Sequence, residues 1–477
     1  MKHEKAFLQA IIKDPDDDAP RLVYADWLEE QGDAARAEFI RVQIELARGG
    51  VPAARRRQLK ARQEELLSRH QTLWGGGVLS QAGKGIYQSG FIESLRTGRR
   101  RFRRHADEVF KIFPIRYVRF SSLGYSLATT FIPWLANWTP LARIESLAFW
   151  GHSATGTVAI TRPELSVLLA SRHLKRLRSL DISGNEEMEG ASENLANAKV
   201  FAQLTALTLQ EIDSNVVWHL AASRFKPRLT RLVLSHNDLD ARAMADLAGW
   251  PAVTELAWLD LRHNTIRSEG AEALAGSPYL RRLSELNLAQ DSFRPGIGDG
   301  GFRALVSSGK LDGVRRLVLE GNGLGPEGAR SLVRLEQLRS LDLRSNYDLG
   351  SEGMRVLAGS ANLAGLRRLN VGICGLGDAG AVALARSPHL RQLIQLTAYA
   401  NKISDTGVRA LASSPVLDRV RILRLGGNHT ITDAGARALA RSRHLERLER
   451  LELGTTGIGP EGQRLLRERF GTRVVFR

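Results

Sequence analysis

The feature that most constrains this chain is a phrase that recurs along it. It is clearest from Val420 onward, V-R-I-L-R-L-G-G-N-H-T-I-T-D-A-G-A-R-A-L-A. There Leu423 and Leu425 flank one residue, Asn428 follows three positions later, and Gly435 and Leu439 come after. The same order returns at Leu180, Leu207, Leu232, Leu259, Leu286, Leu317, Leu341, Leu369 and Leu396, and once more at Leu451. The steps between successive leucines are 27, 25, 27, 27, 31, 24, 28, 27, 27 and 28 residues. A period in the twenties means stacked units, none of which buries its apolar face alone. At 477 residues the chain exceeds the size at which one globular core keeps growing. An array avoids that limit, because its core grows in one dimension.

The head of each unit resembles the L-x-x-L-x-L-x-x-N of leucine-rich repeats. Each L-x-L is expected to be a short strand with its two leucines inward and the residue between them outward. The turn asparagines (Asn185, Asn237, Asn264, Asn322, Asn346, Asn401, Asn428) are expected to hydrogen-bond backbone groups that would otherwise be buried unpaired. Cys374 holds this register after Leu369 and Val371, which makes it a structural substitute and no catalytic thiol. The second half of a unit reads as a helix, as at Ser404–Pro415, with Ser404 or Asp405 capping, Leu411 inward and Pro415 stopping it. Gly270, Gly328, Gly353, Gly380, Gly407 and Gly435 recur one turn before the inward leucine, where a missing Cβ would let the helix approach its neighbour. From about Gly90 onward the units resemble the ribonuclease-inhibitor class of leucine-rich repeats. That resemblance implies an α/β solenoid in horseshoe form, with parallel strands inside and helices outside.

Upstream, P-R-L-V-Y-A-D-W-L-E-E-Q-G-D-A-A-R-A-E-F-I-R-V-Q (Pro20–Gln43) resembles the bacterial repeat-companion domain. The likeness covers roughly the first fifty residues and extends loosely to G-F-I-E-S-L at Gly90–Leu95. It implies a small N-terminal all-α module of bacterial origin, set ahead of the repeats, with no assigned activity. The residues themselves read as short helices broken at Asp14-Pro15, Gly32 and Gly49-Gly50, followed by a very basic helix. Tyr24, Asp26 and Trp27 form either a recognition site or part of a packed helix whose Trp fills a small core. The expected organisation is a helical domain over 1–80 and a solenoid over 81–477. Within the solenoid, degenerate repeats occupy 90–176, regular repeats 177–460 and a cap 461–477. One irregular repeat carries the loop G-H-S-A-T-G-T at Gly151–Thr157.

Little in the sequence points to catalysis. G-I-G-D-G-G at Gly296–Gly301 satisfies G-x-G-x-x-G, but it lies in the lengthened repeat with no acidic ribose partner. V-L-S-Q-A-G-K-G, ending at Gly85, lacks both the first glycine and the Ser/Thr of a phosphate loop. Metal-ligand spacings and G-x-S-x-G are missing, and His173, His389 and His444 sit in turns that close repeats. The expectation is a non-enzyme with no cofactor and no metal site. No apolar run approaches the ~20 residues of a membrane span, the N-terminus lacks a signal peptide's apolar centre, and Cys374 is the lone cysteine. These features read as a cytoplasmic, monomeric protein without a membrane role.

Two partner readings remain. The net charge of +17 fits a polyanion, or simply arginine used as a helix former on outer faces. Between residues 50 and 104, thirteen Lys/Arg stand against three acids, with Arg99, Arg100, Arg101, Arg103 and Arg104 as a candidate basic patch for nucleic acid. The leading reading is a protein partner held on the concave strand face. Its candidate contacts are Trp150, Trp258, Asp260, Arg262, Arg316, Asp342, Arg344, Arg368, Tyr399 and Arg424. Aromatics among arginines and carboxylates are hot-spot chemistry. Equally, the tryptophans could fill gaps between neighbouring side chains on the sheet.

Overall fold

The computed structural model describes residues 2–121, 130–151, 159–185, 188–291 and 294–476. Most of the loop at Gly151–Thr157 therefore lies outside the described residues. The fold is a leucine-rich-repeat solenoid of mixed α/β type with a helical N-terminal region, divided into two compact units, Met1–Ile212 and Asp213–Arg477.

The first unit opens with α1 (Lys2–Lys13), α2 (Ala19–Glu30), α3 (Ala34–Ala47) and α4 (Ala53–Ala82). Strand and helix then alternate: β1 (Lys84–Gln88), β2 (Phe91–Thr97), α5 (Arg99–Ile112), β3 (Tyr117–Ser121), α6 (Phe131–Asn137) and β4 (Ser146–Trp150). The unit ends with α7 (Arg162–Leu169), β5 (Ser179–Asp181), α8 (Ala191–Ala196) and β6 (Ala206–Thr208). Strands β2 to β6 pair in parallel in chain order, whereas β1 and β2 form an antiparallel hairpin. The glycines at 75–77 do not end α4. Only Gly76 leaves helical geometry, at φ 62°, so the helix kinks and resumes. The boundary expected at residue 80 falls inside that helix.

The N-terminal helices share their core with the first repeat. Ile11, Tyr24, Leu28, Ile40 and Ile44 pack with Phe91 of β2. Tyr24 is buried, its ring stacks on Trp27 at 5.7 Å, and Asp26 pairs with Arg41 at 2.6 Å. Tyr24 and the partly buried Trp27 thus pack on the small core, whereas Asp26 stays largely exposed in its pair with Arg41. Arg21, fully buried, donates to Glu93 of β2 at 2.7 Å and to the Pro15 and Ser89 carbonyls. Arg36 donates to the Gly90 carbonyl at 2.6 Å from among the rings of Phe39, Trp74, Tyr87 and Phe91. Gln43 accepts from the Gly90 N–H at 2.7 Å. The three buried polar residues of the Pro20–Gln43 phrase, Arg21, Arg36 and Gln43, all grip the hairpin.

The second unit repeats one motif: α9 (Val216–Ala222), β7 (Arg231–Val233), α10 (Ala241–Ala248), β8 (Trp258–Asp260), α11 (Arg267–Ala275), β9 (Glu285–Asn287), α12 (Gly298–Ser307). It continues through β10 (Arg316–Val318), α13 (Pro326–Leu332), β11 (Ser340–Asp342), α14 (Gly350–Ala358), β12 (Arg368–Asn370), α15 (Gly377–Ala385) and β13 (Gln395–Thr397). The last elements are α16 (Asp405–Ala412), β14 (Ile422–Arg424), α17 (Asp433–Arg441), β15 (Arg450–Glu452), α18 (Pro460–Phe470) and β16 (Val474–Val475). The described strands β7 to β16 are parallel and in chain order, with Leu232, Leu259, Leu286, Leu317, Leu341, Leu369, Leu396, Leu423 and Leu451 in unshifted register. Every leucine of that row is at most 2% exposed.

Three polar ladders hold neighbouring repeats together. Asn428 accepts from the N–H groups of Asn401 and Ile403 in the preceding repeat and donates to the Ala398 and Leu425 carbonyls. Asn185, Asn264, Asn346 and Asn401 repeat the pattern in their own places. Each covers several buried groups, and an unpaired one costs about 1–3 kcal/mol. A second ladder is serine: Ser277, Ser387, Ser414 and Ser442 donate to carbonyls of Ala248, Ala358, Ala385 and Ala412 one repeat back. The third is aspartate. Asp378 accepts from the N–H groups of Ser404 and Gly407 at 2.7 and 3.0 Å, capping the helix of the following repeat. Asp299, Asp405 and Asp433 do the same for theirs.

Candidate strand-face recess

The inward leucines leave three columns of outward residues on the strand face of the second unit. In the middle column, Asp260, Asn287, Asp342 and Asn370 each accept a backbone N–H two residues on, from Arg262, Ala289, Arg344 and Gly372 at 3.0–3.1 Å. These side chains close the turn after the strand. Asp260 is 7% exposed and stands 3.7 Å from Arg262. Asp342 also accepts from Asn370 at 3.0 Å. Asp260 is thus tied to its own repeat, and Asp342 to its own turn and to Asn370 of the next repeat.

Trp258 is half-buried and lies under Arg231, whose guanidinium carbon is 3.2 Å from the ring centroid. This arrangement matches the gap-filling reading. Trp150 is 44% exposed at the end of β4, in the first unit.

The remaining candidates come together. Arg316, Asp342, Arg344, Arg368, Tyr399 and Arg424 line one recess of about 730 Å³ along β10 to β15. Its depth comes from side chains that are missing. In the column that carries Arg344 and Tyr399, positions 372, 426 and 454 are glycine. A Cβ on Gly372 would sit 2.3 Å from the Tyr399 ring, so the ring occupies the space that a side chain there would fill. Arg344 is 5.5 Å from the ring centroid and 3.2 Å from Glu320. On the far side Gly426 and Gly454 leave backbone as the floor, and Arg424 pairs with Glu452 at 2.9 Å. Burial pushes the Tyr399 phenol up, so it remains a neutral donor at ordinary pH. Burial likewise raises the Glu320 carboxyl, against the lowering effect of Arg344.

Other sequence candidates take structural places. Cys374 is buried; its thiol donates to the Leu343 carbonyl at 3.0 Å, as an asparagine amide does elsewhere. Burial pushes that thiol up to about 12, although the Asn346 N–H aimed at the sulfur works the other way. A protonated thiol is a poor nucleophile. A Cβ on Gly296 would collide with the Asn322 backbone at 2.3 Å, Gly298 turns the chain at φ 61°, and Gly301 packs against Ser268 and Ala271 of the preceding helix, so these glycines serve the stacking of repeats. His389 and His444 give backbone N–H groups to the ladder serines.

The basic patch divides. Arg99 turns inward, paired with Glu164 at 2.9 Å and donating to the Ala159 carbonyl. Arg103 donates to Thr130 and lies over Trp134. Arg100, Arg101 and Arg104 are exposed on α5. The flank α4 is partly neutralised, with Arg55 on Glu45, Arg62 on Glu38 and Glu65, and Arg69 on Glu65.

Among the described residues, no cluster of three His, Cys, Asp or Glu could hold a metal ion, and no helix is long and apolar enough to cross a membrane. Residues 259–275, 314–333, 337–358, 366–385 and 420–440 match the family model for leucine-rich repeats. No curated protein matches the chain. Among solved structures it is similar to a chain of the Rad7 and Elc1 complex in yeast, at 16% identity and a TM-score of 0.43, covering 72% of this chain and 87% of that one. It is also similar to a chain of the TLR13–ssRNA13 complex, at 18% identity and a TM-score of 0.32, covering 77% of this chain and 61% of that one.

Proposed function

We propose that the chain is a non-catalytic scaffold that takes a protein partner on the strand face of residues 213–477. The supporting observation is the recess around Tyr399, where aromatic surface, guanidinium donors and bare backbone meet on one face. Side chains that anchor partners are of this kind, and a rigid ladder presents them at little entropic cost. The same reading takes the protein as a cytoplasmic monomer of the ribonuclease-inhibitor-like class, with its N-terminal helices as a bacterial repeat-companion module.

The test is quantitative affinity purification with the wild-type chain and a Tyr399→Ala/Arg344→Ala variant. Partner recovery should fall at least about tenfold, as loss of one or two hot-spot contacts predicts, with the thermal melt nearly unchanged. Undiminished recovery sinks the reading. A second reading, polyanion binding through residues 50–104, is favoured by Arg101 and Arg104, which have no acidic partner among the described residues. It predicts an affinity for single-stranded RNA that falls steeply with salt and vanishes in Arg101→Glu/Arg104→Glu.

A further inference from the structure

We propose that the recess receives an acidic peptide segment of a protein partner, with Arg316 and Arg368 as the pair that grips its carboxylate and Tyr399 as the shelf beside it. This rests on the scaffold reading above and gives its partner a chemistry.

The charges of the recess are not equivalent. Arg344 and Arg424 are held by Glu320 and Glu452 at hydrogen-bonding range. Arg368 is exposed and has no acidic partner among the described residues. Arg316 has only Glu285, at 3.7 Å, beyond hydrogen-bond distance. The register places these two arginines at one position of β10 and β12, with Ser340 of β11 between them. Two strands apart is about 9.5 Å. Over a small serine, the two long side chains can converge on one planar carboxylate and bind it with paired N–H donors. Beside them the Tyr399 ring and the glycine floor leave room for an uncharged side chain.

The surrounding acids decide the class of ligand. Glu285, Glu320, Asp342 and Glu452 stand among the arginines. A nucleic-acid backbone, with a phosphate at every step, would have to run past them. A peptide needs to place only one or two carboxylates.

The probe is a fluorescein-labelled twelve-residue peptide with glutamates around a central Leu-Tyr, against counterparts carrying glutamine or lysine. Binding to the full chain is read by fluorescence anisotropy at physiological salt. The glutamate peptide should bind, and the other two should not. Arg316→Glu/Arg368→Glu should weaken it at least about tenfold, as loss of a charge-assisted pair implies, and Arg368→Gln more mildly. Charge-matched Arg101→Glu/Arg104→Glu on α5 should leave it within about twofold. Circular dichroism melts establish that each variant is folded. Equal losses from both double variants would mean diffuse attraction to a basic protein and overturn the proposal. So would equal binding of the glutamine peptide, or competition by a uridine oligonucleotide that itself depends on Arg368. If no glutamate peptide binds while Tyr399→Ala/Arg344→Ala still abolishes partner recovery, the scaffold reading stands and this one fails.

Discussion

At the scale of single residues, the recurring helix glycines have a sharper role than close packing. A Cβ on Gly328, Gly407, Gly435 or Gly462 would sit 2.5–2.7 Å from a carboxylate oxygen of the preceding repeat's aspartate. Those aspartates accept the N–H of Gly407, Gly435 and Gly462 themselves. Alanine normally gains about 1 kcal/mol over glycine inside a helix. In Gly407→Ala that gain is opposed by overpacking against Asp378 and Ile403, which costs about 1–3 kcal/mol. The expected outcome in urea melts is net destabilisation. Ala400 tests the reverse sign: it sits at φ 51°, where a side chain costs roughly 1 kcal/mol, so Ala400→Gly should stabilise. Asp378 adds a pH dependence. Burial raises its carboxyl, but the hydrogen bonds from Ser404 and Gly407 outweigh it and hold the group below its ordinary value. Its contribution is therefore present above the unfolded value of about 3.9 and is lost as pH falls through the lower folded value. Asp378→Asn should differ in stability from the wild type at pH 7 and converge with it on acidification.

At the scale of elements, the sequence displays the strand and its asparagine plainly, because both recur inside one phrase. The serine and aspartate ladders were hidden in the same rows. Ser387 and Asp378 carry no local signal, since each has its partner a full repeat away. The glycines at 372, 426 and 454 were equally visible, but a missing side chain gains meaning only once strands are in register. Asp260 and Asp342 each close their own turn, which an outward carboxylate does not reveal until the turn is seen, and Asp342 still lines the recess. Cys374 offers a probe of element stability. With its thiol pushed up to about 12 by burial, Cys374 carries almost no thiolate at pH 8. Native protein should resist a thiol reagent at pH 8 and label only as β12 and its turn open. Prompt labelling without loss of structure would contradict the placement of this residue.

At the scale of the whole molecule, each unit draws its stability from neighbours. A single excised repeat, such as residues 392–419, should therefore remain unfolded by circular dichroism, while Asp213–Arg477 melts in a cooperative step. The N-terminal phrase was legible as short helices, yet its grip on the first hairpin was not. Arg21 and Glu93 are joined only in space, and Arg36 and Gln43 meet Gly90 the same way. Arg21→Ala should cost several kcal/mol, because it leaves Glu93 buried with one of its two arginines gone. The aspartate ladder has one further consequence, and it concerns order in time. Asp378 serves the helix at 405–412, Asp405 the one at 433–441 and Asp433 the one at 460–470. Each acid lies upstream of its client, so on the ribosome the brace for each of these helices has emerged before the helix itself.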